Sequence, residues 1–295
     1  VHHGVAHGAV AAHGVVADHA VLARAQAFDG FLRGEVVVIG APADHRAAQR
    51  FEGVAHHQQL GWQVSVVGHS VEKITHINSQ HPNIITYCCD LTDGVQTQTL
   101  LDSLSDISFQ RVIYSAGSYT NERVHHLNQA DSDTMLAINL QGFAQVFRWA
   151  SEQLKRESRS MDFNENRRRS LICIASIAGT MGYPYASLYA KSKRAMIAMA
   201  SAYRAALMPY HIQVNCIASG YIDTQALRDL NDGDASHKPF IMTAQAAIHH
   251  IMQAIDDDIE LAILPRSMRY ITRALNHLPK PLLNWILRSK LDKTT

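Results

Sequence analysis

Seven short apolar runs recur along the chain, and segments of helical character lie between most of them. The runs are EVVVIG from Glu35, WQVSVVG from Trp62, NIITYCC from Asn83, QRVIYSAG from Gln110, SLICIAS from Ser170, IQVNCIASG from Ile212 and ELAILP from Glu260. Each is nearly continuous in Val, Ile and other apolar residues, as in parallel strands covered on both faces. Helices are expected at about 70–80, 94–105, 128–154 and 187–210. This alternation specifies βαβ units. It predicts an α/β fold with a doubly wound, mostly parallel sheet of about seven strands flanked by helices. In such sheets, ligands bind beyond the carboxyl ends of the strands.

The 295 residues are 47% hydrophobic and 18% charged, enough to bury a sizeable core. A net charge of +1 gives no support for nucleic-acid binding. Cys88, Cys89, Cys173 and Cys216 form no CxxC pair and lie in or beside apolar runs. They read as buried, reduced thiols of a cytoplasmic protein. No apolar run reaches the ~18 residues that span a bilayer, and the start lacks the pattern of a secretory signal. Before Leu60 there is no Lys, Ser, Thr, Asn, Tyr, Cys, Met or Trp, and many of the 18 histidines cluster there. Their irregular spacing, with no carboxylate or cysteine cluster, argues against a metal site, so none is expected. Three parts follow: a low-complexity leader over 1–34, a body over 35–265 and a C-terminal extension over 266–295. The polar, basic stretch with Arg167, Arg168 and Arg169 reads as a surface loop within the body.

The chemically informative stretch is IASIAGTMGYPYASLYAKSKRAM, from Ile174 to Met196. Tyr189 and Lys193 are four apart on an expected helix, so they share a face. An ammonium beside a phenol favours the phenolate and draws a tyrosine pKa from about 10 toward neutrality. Such a tyrosine can exchange a proton with an alcohol or carbonyl oxygen. Ser176 closes a strand, where its hydroxyl can polarise the same oxygen. Taken singly, Ser176 also fits a turn cap, and Asn139 a residue tying a helix to a strand.

Ser176, Ala178, Gly179, Pro184, Tyr189, Ser192 and Lys193 together resemble the short-chain dehydrogenase/reductase family. LAINLQGF resembles its fourth-helix motif and supplies Asn139; CCDLTD resembles its adenine-side acidic motif, with Asp90 and Leu91. YSAG is similar to its NNAG turn, keeping Ala116 and Gly117 but with Tyr114 and Ser115 for the asparagines. ASGYIDT resembles its PGxxxT segment, keeping Gly220, Ile222 and Thr224. The resemblance covers about 60–265. It implies a Rossmann-like fold and an NAD(P)-dependent oxidoreductase that moves hydride between nicotinamide and a carbonyl or alcohol. It further implies Tyr189 as general acid/base, Lys193 as its modulator and holder of the nicotinamide ribose, Ser176 as the orienter of the carbonyl, and Asn139 as the anchor of a relay water. The family's long helices imply a homodimer or homotetramer. An acid at the end of the second strand selects NAD in such folds. VVGHS has none, and His69 stands there, so NADP is favoured over NAD.

Gly40 is the weak point of the cofactor side. It ends an apolar run as the first glycine of a phosphate-binding turn does, but Asp44 and Arg46 stand where further glycines are expected. Asp44 would bring negative charge toward a pyrophosphate. The abrupt change of composition near residue 60 gives an alternative: residues 1–58 come from a misread frame. The stretch after Pro265 has apolar residues at helical spacing and mostly basic charges. It fits a helix packed on the body, over the pocket or on a second subunit, and it also fits a peripheral membrane contact through 266–290. Beside an active enzyme, a catalytically silent protein of the same fold that has lost cofactor binding and a membrane-associated protein stay open as readings.

Overall fold

The computed structural model describes residues 34–41, 57, 59, 61–119, 127–160, 169–182, 186–229 and 231–291. The early histidine tract, the turn after Gly40 with Asp44 and Arg46, Arg167, Arg168 and Pro184 lie outside the described residues.

Seven parallel strands form one sheet: β1 (Gly34–Ala41), β2 (Trp62–Gly68), β3 (Ile84–Cys88), β4 (Arg111–Tyr114), β5 (Ser170–Ile174), β6 (Gln213–Ser219) and β9 (Leu261–Leu264). Their spatial order is β3-β2-β1-β4-β5-β6-β9. The order reverses between β1 and β4, the switch point of a doubly wound sheet. Val38 of β1 faces Val66 of β2 and Ile113 of β4 in register. A short parallel pair, β7 (Ile222–Asp223) with β8 (Met242–Thr243), stands apart; the apolar runs give no sign of it.

The helices are α1 (Val71–Gln80), α2 (Gly94–Ser103), α3 (Gln129–Leu136), α4 (Phe143–Ser160), α5 (Leu188–Leu207), α6 (Gln225–Asp229), α7 (Ala244–Asp256), α8 (Arg266–Asn276) and α9 (Lys280–Leu291). Asp93, Ser187 and Thr243 cap α2, α5 and α7, each accepting from a backbone N–H of the first turn. Strand alternation splits the core. Val37 and Ile39 point to the layer holding Leu100, Phe147 and Met196 of α2, α4 and α5. Val38 points to the opposite layer, with Ile77 of α1 and Ile248 and Met252 of α7. Both faces are therefore covered, as continuous apolar strands require.

The expected helix over 128–154 is not uniform. Between α3 and α4 the chain forms a π-helix, Ala137–Gly142. The extra residue in that turn rotates everything after it relative to an α-helix, which a 3.6-residue reading does not see. Cys89, Cys173 and Cys216 are buried, Cys88 is half-buried, and all four are free thiols. At the amino end of the sheet the buried Arg111 donates to Ser170 Oγ at 3.0 Å and lies 4.9 Å over the Trp62 ring. Burial pushes its guanidinium down to about 10. Among the described residues, no helix is long and apolar enough to cross a membrane.

Candidate active site

The residues singled out in the sequence gather at the carboxyl ends of the strands. His69 follows β2, exposed, and its carbonyl accepts from Cys88 Sγ at 3.5 Å. Asp90 follows β3 and is exposed; its Oδ1 accepts from Thr92 N at 2.9 Å and Thr92 Oγ1 at 2.8 Å. Its carboxylate thus shapes the loop that leads to α2. Leu91 packs against the core, its carbonyl beside Gly142. Ala116 and Gly117 follow β4, and Gly220 follows β6, where Gly220 N donates to Leu264 O at 2.7 Å. A Cβ on Gly220 would stand 3.0 Å from that same oxygen, so the close approach of the chains favours glycine. Ile222 is buried in β7, and buried Thr224 accepts from Leu227 N at 3.2 Å at the head of α6. Gly40 lies near the end of β1, where the register with β2 slips between Ile39 and Ala41.

Asn139 makes three hydrogen bonds through its side chain. The π-helix points its side chain inward, fully buried. Its Oδ1 accepts from Ser118 N at 2.9 Å, and its Nδ2 donates to Ser118 O and to Ser192 Oγ, both at 3.0 Å. Both amide hydrogens are therefore used. Ser192 Oγ in turn donates to Tyr189 O at 2.8 Å. One side chain thus fastens the strand end after β4 to the first turns of α5. Tyr114 supports the π-helix from below: its hydroxyl donates to Ile138 O at 2.5 Å, and its ring meets Phe143 edge-on at 5.4 Å.

Tyr189 and Lys193 share a face of α5. The Lys193 Nζ lies 5.9 Å from the centre of the Tyr189 ring and 3.4 Å from Met196 Sδ. Lys193 is buried and Tyr189 half-buried. A Cβ on Gly117 would fall 2.9 Å from Lys193 Nζ and 3.3 Å from Asn139 Oδ1. The absent side chain lets the ammonium reach the strand end. Beneath it, burial pushes the Cys173 thiol up, Cys216 pushes the same way, and the Lys193 charge pulls it down. The Tyr189 ring meets Tyr119 edge-on at 4.7 Å.

Ser176 caps a short 3-10 turn, Ile177–Thr180, its Oγ accepting from Ala178 N at 3.2 Å. That turn is pressed on α5: a Cβ on Gly179 would lie 2.7 Å from Lys193 C and Arg194 N. Ser176 is therefore held on a turn whose position is set by the helix of Tyr189 and Lys193. Its hydroxyl proton has no acceptor among the described residues. Ser118, Tyr119, Gly117 against Lys193, and Met196 are the neighbours that sequence spacing did not bring forward. Ser118 takes part through its backbone, which leaves no signature in residue type.

The groups fit a nicotinamide nucleotide at one end. A buried ammonium, a phenol and a fixed amide stand by the strand end after β4, and the Ser176 hydroxyl, whose proton has no acceptor among the described residues, stands on the turn after β5. The pyrophosphate end depends on the turn after Gly40, outside the described residues.

Comparison with known proteins agrees with this architecture. The model of the short chain dehydrogenase family matches residues 52–235. The 3-oxoacyl-(acyl-carrier-protein) reductase MabA of Mycobacterium tuberculosis is 29% identical over 168 residues, 56% of this chain and 64% of MabA. The chain thus spans just under two thirds of the length of the curated relative it matches. A short chain dehydrogenase from Burkholderia cenocepacia in complex with NADP superposes with a TM-score of 0.68 at 17% identity, covering 90% of this chain and 100% of the other. A short-chain dehydrogenase from Sphingobium yanoikuyae in complex with NADPH gives 0.68 at 12% identity, covering 88% and 96%. Those likenesses give the fold, and the match over 52–235 gives more: the chain belongs to the short-chain dehydrogenase family, a family of oxidoreductases.

Proposed function

We propose that the chain is an NAD(P)-dependent oxidoreductase acting on a small carbonyl or alcohol substrate. The observation that carries this reading is the shared fastening of Asn139, Ser192, Tyr189 and Lys193 around the strand end at Gly117. Hydride exchange is what a bound nicotinamide supplies; the chain's residues handle position and the proton. Tyr189 gives or takes the proton at the substrate oxygen. Lys193, fixed beside the phenol, stabilises its ionised form and is placed to bind ribose hydroxyls. Ser176 donates its hydroxyl proton to the substrate oxygen. Asn139 is the positioning residue that sets α5 against β4, beside any water it holds.

His69, Asp90, Leu91, Ala116, Gly117, Gly220, Ile222 and Thr224 would line the cofactor along the strand ends. NADP is favoured over NAD: no acid follows β2, His69 is exposed there, and the two structural neighbours named above hold NADP or NADPH. Asp90 would act through the loop it folds, because its carboxylate is engaged by Thr92. A homodimer or homotetramer and a cytoplasmic location complete the proposal. The test is NADPH oxidation against a panel of ketones and 3-oxoacyl thioesters. Turnover with any of them supports the reading; a folded chain that neither binds NADPH nor turns over any of them favours the silent alternative, which keeps the fold without the cofactor.

A misread frame over 1–58 is the second reading. The break in composition near residue 60 favours it. The other two frames of the DNA upstream of Gly61 decide it. A TGxxxGxG turn there supports a misread frame, and the lack of any open frame rejects it.

A further inference from the structure

The C-terminal helices border a trough of cations on the outer side of α5. A groove of about 550 Å³ runs between α5, β9 and α8. Ile197, Ile259 and Ile263 line it, half-buried, and Arg194, Arg269 and Arg273 stand exposed along it. A second groove of about 360 Å³ shares Arg194 and continues toward α9, where Lys191 and Lys280 line it. Among the described residues neither groove has a carboxylate in its lining. None of these five cations forms an ion pair with a described Asp or Glu. From Pro265 to Leu291 the chain carries Arg266, Arg269, Arg273, Lys280, Arg288 and Lys290 and no acidic residue at all.

Like charges gathered without counter-charge repel, and the site becomes favourable when an anion neutralises them. A soluble anion would account for the arginines alone. The same two helices also expose Tyr270 at 70%, Trp285 at 67% and Leu282 at 44%. Aromatic and apolar side chains beside basic ones are the composition of a lipid–water interface. The tail is nevertheless docked on the body: Leu283 is buried, and Asn276 Nδ2 donates to Thr180 O at 3.1 Å, on the turn that Ser176 caps. The cations are thus presented on an anchored scaffold.

We propose that α8 and α9 dock on an anionic bilayer surface, with lipid phosphates seated in the trough between Arg194, Arg269 and Arg273. Guanidinium groups suit this, pairing with phosphate through two parallel hydrogen bonds. The proposal is independent of the oxidoreductase reading.

The test is co-sedimentation of the full chain with vesicles of phosphatidylcholine alone and of phosphatidylcholine mixed with phosphatidylserine. Binding is expected to the mixed vesicles only and to weaken with salt. The Arg269→Ala/Arg273→Ala double variant should bind roughly thirty-fold more weakly, each lost charge contributing about the same factor. Arg269→Lys/Arg273→Lys, which keeps the charges and loses the paired hydrogen bonds, should bind at a level between the alanine variant and the unaltered chain. Thermal melts should match the unaltered chain, since these side chains are exposed. Equal binding to both vesicle types, or full binding by the alanine double variant, overturns the proposal. So does inorganic phosphate that raises the melting temperature as much as mixed vesicles do, which would assign the trough to a soluble anion.

Discussion

Around β4, β5 and α5 the side chains interlock. Asn139 reaches Ser118 and Ser192, Ser192 reaches Tyr189, and Gly117 and Gly179 let Lys193 and its helix press on two strand ends. Across β1 and β2 the backbone pairs in register from Gly34 to Ile39 and slips only before Ala41, and the strands are as deeply buried. The functional edge there is plainer: exposed His69, a single glycine at Gly40 and no further glycine until Gly53. A fold can thus keep a whole half-sheet for stability while the chemistry depends on the other half. Sheet pairing is satisfied by backbone and bulk, but binding a pyrophosphate demands particular residues at a tight turn.

The largest expected effect lies in the interlocked half. Tyr189→Phe should lower turnover about a thousand-fold, within the range for removing a general acid/base, and leave NADPH binding nearly unchanged. Loss of turnover and binding together would show that the ring, rather than the phenolic proton, is what matters. The next comparison is between halves. Ile39 on β1 and Ile172 on β5 are both fully buried. Each Ile→Ala change should cost about 2–5 kcal/mol in chemical denaturation. An Ile39→Ala cost near zero beside a full cost for Ile172→Ala would mean that β1 is not integrated into the folded sheet. Gly179→Ala should cost about 1–3 kcal/mol, because its Cβ meets the α5 backbone, which cannot swing away as a side chain tip does. It should also slow turnover by shifting Ser176 relative to Tyr189. A stability loss with unchanged turnover would separate the packing role of that turn from any role in chemistry.

Much of this organisation is legible in the sequence, for identifiable reasons. The main strands are read correctly because strands buried on both faces leave long Val and Ile runs, such as VVVI and SLICI. Tyr189 and Lys193 are legible because a four-residue spacing has one geometric meaning on a helix. The π-helix is not, since one added residue leaves the apolar pattern of 128–154 nearly intact. The pair β7–β8 is too short to show a period, with only two residues in each strand. Asn139's main partner was hidden because Ser118 contributes backbone groups, which any residue could offer. In the tail, the amphipathic pattern predicts one buried face, but it does not tell that Leu283 is covered while Trp285 is left in solvent.

The central claim is that the interlocked half still serves a bound nicotinamide although the phosphate side is sparse. Titrating the purified full chain with NADPH and following nicotinamide fluorescence tests it most directly. The account predicts a saturable enhancement, tighter for NADPH than for NADH. No saturable signal up to millimolar NADPH, from a chain shown to be folded, would contradict it and leave a short-chain dehydrogenase fold without its cofactor.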